Sequence, residues 1–305
     1  SYLNKTSGST GGIILSINTI AILSPGDMGH AVGQVLRTRG FDVISYLENR
    51  SQRTKDLANL AGIREVPDLS KMVIQADLIL SILVPENALD TARTVANSIR
   101  KSNTSVIYAD CNAVSPETTK KIESIICLSG SDYVDASIIG NPPGSGIPTR
   151  FYVSGVHSEV MSNLDGNGIT TVDLGNTIGQ ASAIKMCYAA LTKGTFALHT
   201  AVLAAAEAMN LTSELRQEFI NSQSDAYLQM EKTIPSLHTK AFRWVGEMNE
   251  IASSFANVGV TPAFHQGAAK IYELISKVPF AHERPETIDT KRTLQETIRS
   301  FAKLL

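Results

Sequence analysis

Apolar and polar positions follow two different periodicities along the first half of the chain. Short runs rich in β-branched residues predict buried strands at residues 19–23, 42–47, 78–83 and 105–109. Between these runs, apolar positions recur at helical spacing and predict helices at residues 28–39, 52–60, 86–99 and 116–126. Strand and helix in strict alternation favour right-handed crossovers and a parallel sheet that is covered on both faces.

The pattern changes in the second half. Strand-like runs at 133–139, 150–153 and 170–174 have few helical stretches between them, so we expect them to extend the sheet. After Gly175, residues 180–209 indicate one long Ala-rich helix, and almost everything that follows is helical in pattern. Breaks are predicted at Pro235, 259–262 and 279–285.

Together the patterns predict an α/β fold: a Rossmann-like, doubly wound, mainly parallel sheet followed by an all-helical C-terminal domain. We expect residues 1–18 to be a flexible leader, because their first twelve positions are rich in Ser, Gly, Thr and Asn. The sheet domain is predicted at 19–175 and the helical domain at 176–305.

Composition excludes several classes of protein. Of the 305 residues, 43% are hydrophobic and 18% are charged, so the chain can bury a sizeable core. Lys and Arg number 27 against 29 Asp and Glu, for a net charge of −2. This balance provides no overall attraction to nucleic acid or to an anionic membrane, and we expect neither as a partner.

The cysteines and histidines point to a cytoplasmic protein without a metal. Three widely spaced cysteines form no paired pattern, so we expect reduced thiols; they are Cys111, Cys127 and Cys187. None of the six histidines has metal-ligand spacing with another His or Cys. The apolar stretch 186–209 is long enough to cross a bilayer, but Lys193, His199 and Glu207 interrupt it, which favours a buried helix.

The turn after the first strand carries candidate chemistry. It reads Ser24-Pro25-Gly26-Asp27-Met28-Gly29 and leads directly into a helix. In a dinucleotide fingerprint, glycines make the tight turn, admit the pyrophosphate and allow close helix packing, and here Ser24 replaces the first of them. An ordinary strand-to-helix turn is the alternative. Asp27 argues against an anion unless its side chain points to solvent or caps the helix.

The end of the second strand bears on the type of dinucleotide. Glu48 could accept the ribose hydroxyls of NAD, whereas Arg50, Ser51 and Arg53 offer donors for the 2′-phosphate of NADP. Because cations outnumber acids at 48–55, we favour NADP over NAD. A solvated, charged turn is the alternative interpretation for part of this segment.

Four stretches resemble the β-hydroxyacid dehydrogenase and 6-phosphogluconate dehydrogenase superfamily, in its branch with the domain of unknown function 1932 at the C-terminus. They occur in the same order as in that superfamily, and they are Gly26 to Gly29, Asp110 to Pro116, Asp135 to Gly140 and Gly179 to Lys185. The resemblance implies that Lys185 is the catalytic lysine and that Leu83 and Val84 border the cofactor. It also implies a homodimer that pairs across the long helix.

This sequence departs from the superfamily at several of these positions. Asn112 and Ala113 stand where Ser-Thr is usual, Asn141 replaces a glycine, and Tyr188 stands where Asn is expected. The resemblance therefore implies the type of reaction but does not identify the substrate.

The residues themselves support Lys185 as a catalytic group. It lies early in a largely apolar helix, with small residues one turn away on either side. Burying its ammonium group would lower its pKa, which suits a group that donates and accepts protons near neutral pH. A lysine that extends to solvent is the alternative.

Two further residues are catalytic candidates. Tyr188 shares a helix face with Lys185 and could position a substrate, although an ordinary core tyrosine fits equally well. Asn112, at the end of a parallel strand, could bind substrate or nicotinamide, or could instead cap the next helix. The loop 142–146 could line the substrate cleft, and a surface helix is the preferred interpretation of 243–250.

The sequence thus predicts an NADP-dependent oxidoreductase that transfers hydride to or from a small hydroxy acid or carbonyl compound, with Lys185 as general acid and base. Two alternatives remain open. One is an imine reductase on the same scaffold, and the other is a regulator that binds NADP(H) without catalysis.

Overall fold

Eight strands form one sheet in the computed structural model, which describes residues 16–305. The strands are β1 (Thr19–Leu23), β2 (Asp42–Ser45), β3 (Arg64–Glu65), β4 (Leu78–Ser81), β5 (Ile107–Asp110), β6 (Asp132–Ile139), β7 (Thr149–Ser154) and β8 (Ile169–Asp173). Their order across the sheet is β3-β2-β1-β4-β5-β6-β7-β8. All neighbours are parallel except β6 and β7, which are antiparallel.

The helices divide into two groups. Those that alternate with strands are α1 (Asp27–Thr38), α2 (Gln52–Leu60), α3 (Leu69–Gln75), α4 (Pro85–Ser102) and α5 (Pro116–Cys127). Those that follow the sheet are α6 (Gln180–Ala208), α7 (Thr212–Ser222), α8 (Ser224–Thr233), α9 (His238–Asn257), α10 (Ala263–Ile275) and α11 (Leu294–Ala302). The predicted fold class is therefore confirmed.

The sequence patterns did not predict one strand, β3, and one helix, α3. β3 has two exposed residues at the sheet edge, which is too short for any periodic pattern. α3 spans seven residues and is capped by Asp68, whose carboxylate accepts a hydrogen bond of 2.7 Å from the Lys71 amide. Both are recognisable only from their partners in space.

Ordered packing begins earlier than the predicted leader boundary at residue 18. Ile17 is buried in the core, and the Asn18 amide donates to the Asp77 carboxylate at 2.9 Å. The expectation of a flexible leader at residues 1–15 lies outside the described residues.

The central strand is buried on both faces, as a parallel sheet between helices requires. In β1, Ile20 and Ile22 pack in one core cluster with Leu36 of α1. Ala21 and Leu23 belong to the opposite cluster, between the sheet and α3, α4 and α5. A third cluster joins α6 to the other C-terminal helices. Among the described helices, none is long and apolar enough to cross a membrane.

A buried carboxylate joins the sheet to α6. The side chain of Asp135, in β6, accepts hydrogen bonds from the amides of Gly179 (2.8 Å) and Ser182 (3.2 Å) at the start of α6. It also accepts from the hydroxyls of Ser182 (2.6 Å) and Ser154 (2.9 Å). Asp135 thus binds two of the amide donors that the first helical turn leaves without partners within the helix, and it fixes where α6 leaves the sheet. The predicted boundary at 175/176 falls in the segment just before this contact.

Candidate active site

A cleft of about 890 Å³ lies between the carboxyl ends of the strands and the C-terminal helices. This is the edge at which parallel α/β sheets place ligands. Its sheet side includes Met28, Leu83, Val84 and Cys111, and its helical side includes Lys185, Tyr188, Lys193, Arg243, Trp244 and Glu247.

The turn after β1 has the conformation of a dinucleotide fingerprint. Ser24, at the first fingerprint position, adopts φ +56°, the left-handed region that glycine normally occupies. A Cβ on Gly26 would meet only the Ser24 carbonyl oxygen, at 3.9 Å, so the backbone there is open to a ligand. A Cβ on Gly29 would approach Cγ2 of Ile22 to 3.2 Å, so a glycine lets α1 pack closely on β1.

The residues at the start of α1 fit a pyrophosphate. No side chain caps this helix, which leaves amide donors of its first turn available at Asp27, Met28 and Gly29. The Asp27 carboxylate does not repel an anion here, because Arg53 binds it at 2.5 Å and Arg243 lies 3.5 Å from it. Two cations therefore offset the negative charge of Asp27, whereas the sequence predicted that its side chain would need to point to solvent or cap the helix.

The residues after β2 have separate roles. Glu48 accepts a hydrogen bond from the Tyr46 hydroxyl, and Ser51 caps α2 by accepting from the Thr54 amide at 3.2 Å. Arg53 forms ion pairs with Asp27 and Glu286, and its contact with a 2′-phosphate stays a prediction. The Arg50 side chain makes no hydrogen bond or ion pair with any residue in 16–305, and burial lowers its pKa.

Asn112 is occupied by main-chain and side-chain contacts. Its Oδ1 accepts from the Leu83 amide at 2.5 Å, and its Nδ2 donates to the Ser81 hydroxyl at 3.1 Å. The residue is buried and does not line the cleft. In this position Asn112 joins the ends of β4 and β5 and positions Leu83, which lines the cleft with Val84, and its catalytic role stays a prediction that this geometry does not favour.

Lys185 projects into the cleft from the second turn of α6. Its Nζ donates to the Ile138 carbonyl oxygen at 2.8 Å, in β6. Burial and the nearby charge of Lys193 lower the pKa of Lys185 to about 8, and Glu247 opposes that shift. The alternative of a lysine that extends to solvent is therefore wrong.

Tyr188 lies one turn further along α6 and lines the same cleft. Its side chain is 46% exposed, which excludes the interpretation as a core tyrosine. Lys185 and Tyr188 thus face one open space, as their spacing predicts. In the loop 142–146, Pro142 and Pro143 also line the cleft.

An ion pair between α6 and α9 was not predicted. Lys193 is bound to Glu247, and its Nζ lies 5.0 Å from the centre of the Trp244 ring. Glu247 is only 4% exposed, so the interpretation of residues 243–250 as a surface helix is wrong for its cleft-facing side. The spacing of Lys185 and Lys193 places them about 80° apart around α6, so a second lysine near the cleft could have been inferred, but its pairing with Glu247 could not.

The cleft carries an excess of positive charge. Among its lining residues are the cations Lys185, Lys193, Lys240 and Arg243, against the acids Asp27 and Glu247. Burial, together with Arg243 and Lys193, lowers the pKa of Lys240. Such a lining favours anionic ligands.

Two family models match the chain, one in the sheet domain and one in the helical domain. Residues 19–164 match the NAD binding domain of 6-phosphogluconate dehydrogenase, and residues 206–275 match the domain of unknown function DUF1932. The chain carries a 6-phosphogluconate dehydrogenase-type NAD-binding domain followed by a DUF1932 domain. The predicted resemblance is confirmed.

Known proteins resemble this two-domain chain along most of its length. A solved protein of unknown function, described as similar to 3-hydroxyacid dehydrogenases, is 28% identical, with a TM-score of 0.61 over 85% of this chain and 96% of its own. The 3-hydroxyisobutyrate dehydrogenase of Mycobacterium tuberculosis, solved with L-serine, is 16% identical, with a TM-score of 0.64 over 93% of this chain and 99% of its own. An uncharacterized oxidoreductase of Synechocystis sp. is 23% identical over 66% of this chain and 69% of its own.

The same fold occurs in an enzyme of different chemistry. The imine reductase of Streptomyces aurantiacus is 16% identical, with a TM-score of 0.51 over 94% of this chain and 99% of its own. This fold therefore does not by itself distinguish carbonyl from imine substrates.

Two buried carboxylates lie beneath the cleft, where β5 and β6 pair. Asp110 is directly opposite Asp135 in the sheet register, and it precedes Cys111, which lines the cleft. Burial raises the pKa of Asp110 to about 7, and the charges of Asp135 and Glu250 add to that rise. Residues 16–305 contain no cluster of three or more metal-ligating side chains, and the absence of a metal stays a prediction.

We expect the Asp110→Asn variant to change how stability depends on pH. The Asp110 carboxyl has a pKa of about 3.9 in the unfolded chain and about 7 in the folded protein. Between these two pH values, Asp110 is therefore protonated in the folded protein and ionised in the unfolded chain. This group therefore lowers the free energy of unfolding as pH rises through that window, by up to about 4 kcal/mol. The variant should lose that decline and exceed wild type in stability at pH 8, as measured by urea unfolding at several pH values.

Asp90→Asn is the matched control, because the Asp90 side chain is 82% exposed and carries only a surface ion pair with Arg93. Parallel stability curves for wild type and Asp110→Asn between pH 4 and 8 would contradict the assignment.

Proposed function

We propose that the chain is an NADP(H)-dependent oxidoreductase that acts on a small hydroxy acid or carbonyl compound, with Lys185 as general acid and base. The observation that carries the proposal is the position of the Lys185 ammonium group inside the cleft that begins at the glycine turn. The bound nicotinamide would supply or accept the hydride.

The chemistry required of this chain is proton transfer and charge stabilisation. A lysine with a pKa of about 8 exchanges its proton readily near neutral pH, so Lys185 can protonate or deprotonate the oxygen on the reacting carbon. The Ile138 carbonyl holds its Nζ in place. Tyr188, on the same face, would position the substrate, and the cationic lining would attract its carboxylate.

The preference for NADP rests on Arg50. Its guanidinium group has no side-chain partner in the described part of the chain, whereas the Glu48 carboxylate already accepts from Tyr46. β1 and β2 are parallel neighbours, so their carboxyl ends, with the glycine turn and Arg50, lie at the same edge of the sheet. Arg50 and Ser51 would bind a 2′-phosphate there.

An imine reductase remains the second candidate. Its support is a fold shared with a solved imine reductase and a cleft whose aromatic residues could pack against an organic amine; they are Tyr188, Phe196 and Trp244. The ammonium group of Lys185 favours a carbonyl oxygen as the reacting heteroatom. A regulator without catalysis is less consistent with a buried lysine in an open cleft.

Replacing Lys185 by Met should lower turnover by about a hundredfold to ten-thousandfold, because it removes the proton-transfer group. NADPH oxidation with a panel of keto acids and cyclic imines measures this loss and identifies the substrate class. The dissociation constant for NADPH, measured by fluorescence titration, should stay near the wild-type value. The exposed Lys270 offers a matched control as Lys270→Met, and a Lys185→Met enzyme with most of its activity would refute the role.

Replacing Arg50 by Ala should weaken NADPH binding by about tenfold to a hundredfold, the loss typical of a charge-assisted hydrogen bond. NADH, which lacks the 2′-phosphate, should bind equally to both proteins in calorimetric titrations. Lys55→Ala, in α2, is the control for a general change in surface charge. If wild type binds NADH as tightly as NADPH, the preference for NADP is wrong.

We propose that the protein forms a homodimer through α6. Leu191 and Leu198 of that helix lie two turns apart and are 73% and 62% exposed, so they leave an apolar stripe in contact with solvent. Leu191→Lys should convert the dimer to a monomer in size-exclusion chromatography with light scattering. Leu228→Lys, in α8, is the control, and a wild-type monomer at micromolar concentration would exclude the dimer.

A further inference from the structure

A segment of the helical domain reaches the sheet domain beside the glycine turn. Residues 276–293, which we call the strap, connect α10 to α11 and follow the residues that match DUF1932. At the tip of the strap, Pro285 lines the cleft and Glu286 binds Arg53 of α2. Oε1 of Glu286 lies 2.5 Å from Nη2 of Arg53, and Oε2 lies 3.3 Å from Nε. The strap therefore meets the sheet domain at the edge that fits the cofactor.

The two ends of the strap are anchored to the helical domain and to each other. Glu283 binds both Nη atoms of Arg292 and lies 3.0 Å from Nε2 of His238 in α9. The Arg292 guanidinium carbon in turn lies 3.8 Å from the centre of the Phe280 ring. These contacts hold the strap on the helical domain independently of its tip.

The tip of the strap is an exposed turn with one polar link to the sheet domain. The Thr287 amide donates to the Arg284 carbonyl oxygen at 2.9 Å, which closes the turn 284–287, and all four of its residues are exposed. In residues 16–305, the hydrogen bonds and ion pairs between this turn and the sheet domain are those of Glu286 with Arg53. The tip can therefore leave Arg53 without breaking the anchors.

Glu286 neutralises a cation that lies beside the first turn of α1. Asp27 of that turn is bound by Arg53 and lies 3.5 Å from Arg243, so two cations face one acid until Glu286 supplies a second. Hydrogen bonding to Arg53 lowers the pKa of Glu286, so its carboxylate is ionised near neutral pH. A phosphate group that approaches the amides of this turn thus meets an arginine that already holds an anion.

We propose that Glu286 is an internal substitute for a phosphate group of the dinucleotide: it occupies Arg53 in the free protein, and cofactor binding releases Glu286 and the tip of the strap. This inference rests on the proposed function, because it takes the ligand beside the glycine turn to be NADP(H). Carboxylate and phosphate oxygens both accept paired hydrogen bonds from a guanidinium group, so one anion can replace the other on Arg53.

The exposure of the ion pair suits such an exchange. The side chains of Arg53 and Glu286 are 31% and 55% exposed, and ion pairs in contact with solvent contribute little to stability. A phosphate group that also accepts from main-chain amides of α1 is a stronger partner for Arg53. Glu286 therefore lowers the affinity for phosphate ligands without excluding them.

The variant Glu286→Gln removes the competing charge and keeps the size of the side chain. Its affinity for NADPH, measured by calorimetry, should rise about fivefold over wild type, the factor that corresponds to a strong solvent-exposed ion pair. Asp56→Asn is the matched control, because Asp56 is an exposed acid one turn further along α2 that accepts from Gln52 and does not bind Arg53. The control should bind NADPH about as tightly as wild type.

A double-mutant cycle tests whether Glu286 acts through Arg53. In an Arg53→Met background, Glu286→Gln should no longer change the affinity for NADPH, because the group for which Glu286 competes is gone. NADH is titrated in parallel, since both dinucleotides carry the pyrophosphate and only NADPH carries the 2′-phosphate. An equal gain for both would assign the exchange to the pyrophosphate, and a gain for NADPH alone would assign it to the 2′-phosphate.

Hydrogen–deuterium exchange measures the release of the tip directly. In wild type, saturating NADPH should speed the exchange of amides in residues 284–290, because the tip loses its contact with the sheet domain. In Glu286→Gln, these amides should exchange rapidly without ligand, and NADPH should add little. Peptides from α11, which follows the anchored end of the strap, are the internal reference.

Four results would overturn the proposal: an unchanged NADPH affinity in Glu286→Gln, an equal gain in Asp56→Asn, an equal gain in the Arg53→Met background, or slower exchange of residues 284–290 when NADPH binds to wild type. NADPH binding and turnover in those experiments would still support the oxidoreductase function. Conversely, the expected gain and release without turnover of any keto acid or cyclic imine would support the role of Glu286 and refute the oxidoreductase function.

Discussion

The contact between Asp135 and the start of α6 determines the geometry of the whole site. Asp135 lies in β6, and its carboxylate binds the amides of Gly179 and Ser182 together with the Ser182 and Ser154 hydroxyls. These groups would otherwise be buried without partners, so the contact favours this register over others. Lys185 follows Ser182 by less than one turn, and the same strand supplies the Ile138 carbonyl that holds it. Strand β6 therefore positions Lys185 in two ways: Asp135 fixes the helical turn before it, and the Ile138 carbonyl binds its Nζ.

The cleft is held between the two parts of the chain by polar contacts that cross from the sheet side to the helical side. Glu250 of α9 accepts from the Ser115 amide at the start of α5, where a carboxylate also interacts favourably with the helix dipole. Arg243 of the same helix reaches Asp27, and Arg53 joins Asp27 to Glu286. Half-exposed ion pairs contribute little to stability individually. Their effect here is to fix the spacing of the two walls, which decides whether a nicotinamide and a lysine can reach one substrate.

Periodicity was sufficient to predict most of the fold, because a buried parallel strand and an amphipathic helix each impose a strong local pattern. It failed at β3 and α3, where two and seven residues are too few to show a period. Site residues within one element were also predictable, as Lys185 and Tyr188 on one face of α6 demonstrate. Contacts between distant elements were not. The sequence does not reveal that Glu247 meets Lys193, 54 positions away, or that the Asn112 amide is used by the Leu83 main chain.

The departures from the superfamily pattern follow from this arrangement. Asn112 stands where Ser-Thr is usual, and it binds the main chain at Leu83 and the Ser81 hydroxyl rather than facing the cleft. The sheet side of the cleft is then left with mainly apolar and backbone groups, which suit a nicotinamide of constant structure. Most of the charged and aromatic side chains that line the cleft lie on α6 and α9. Under the proposed function, a nicotinamide cofactor would constrain the strand ends but not the helical wall, so a change of substrate within this fold would act mainly through the helices.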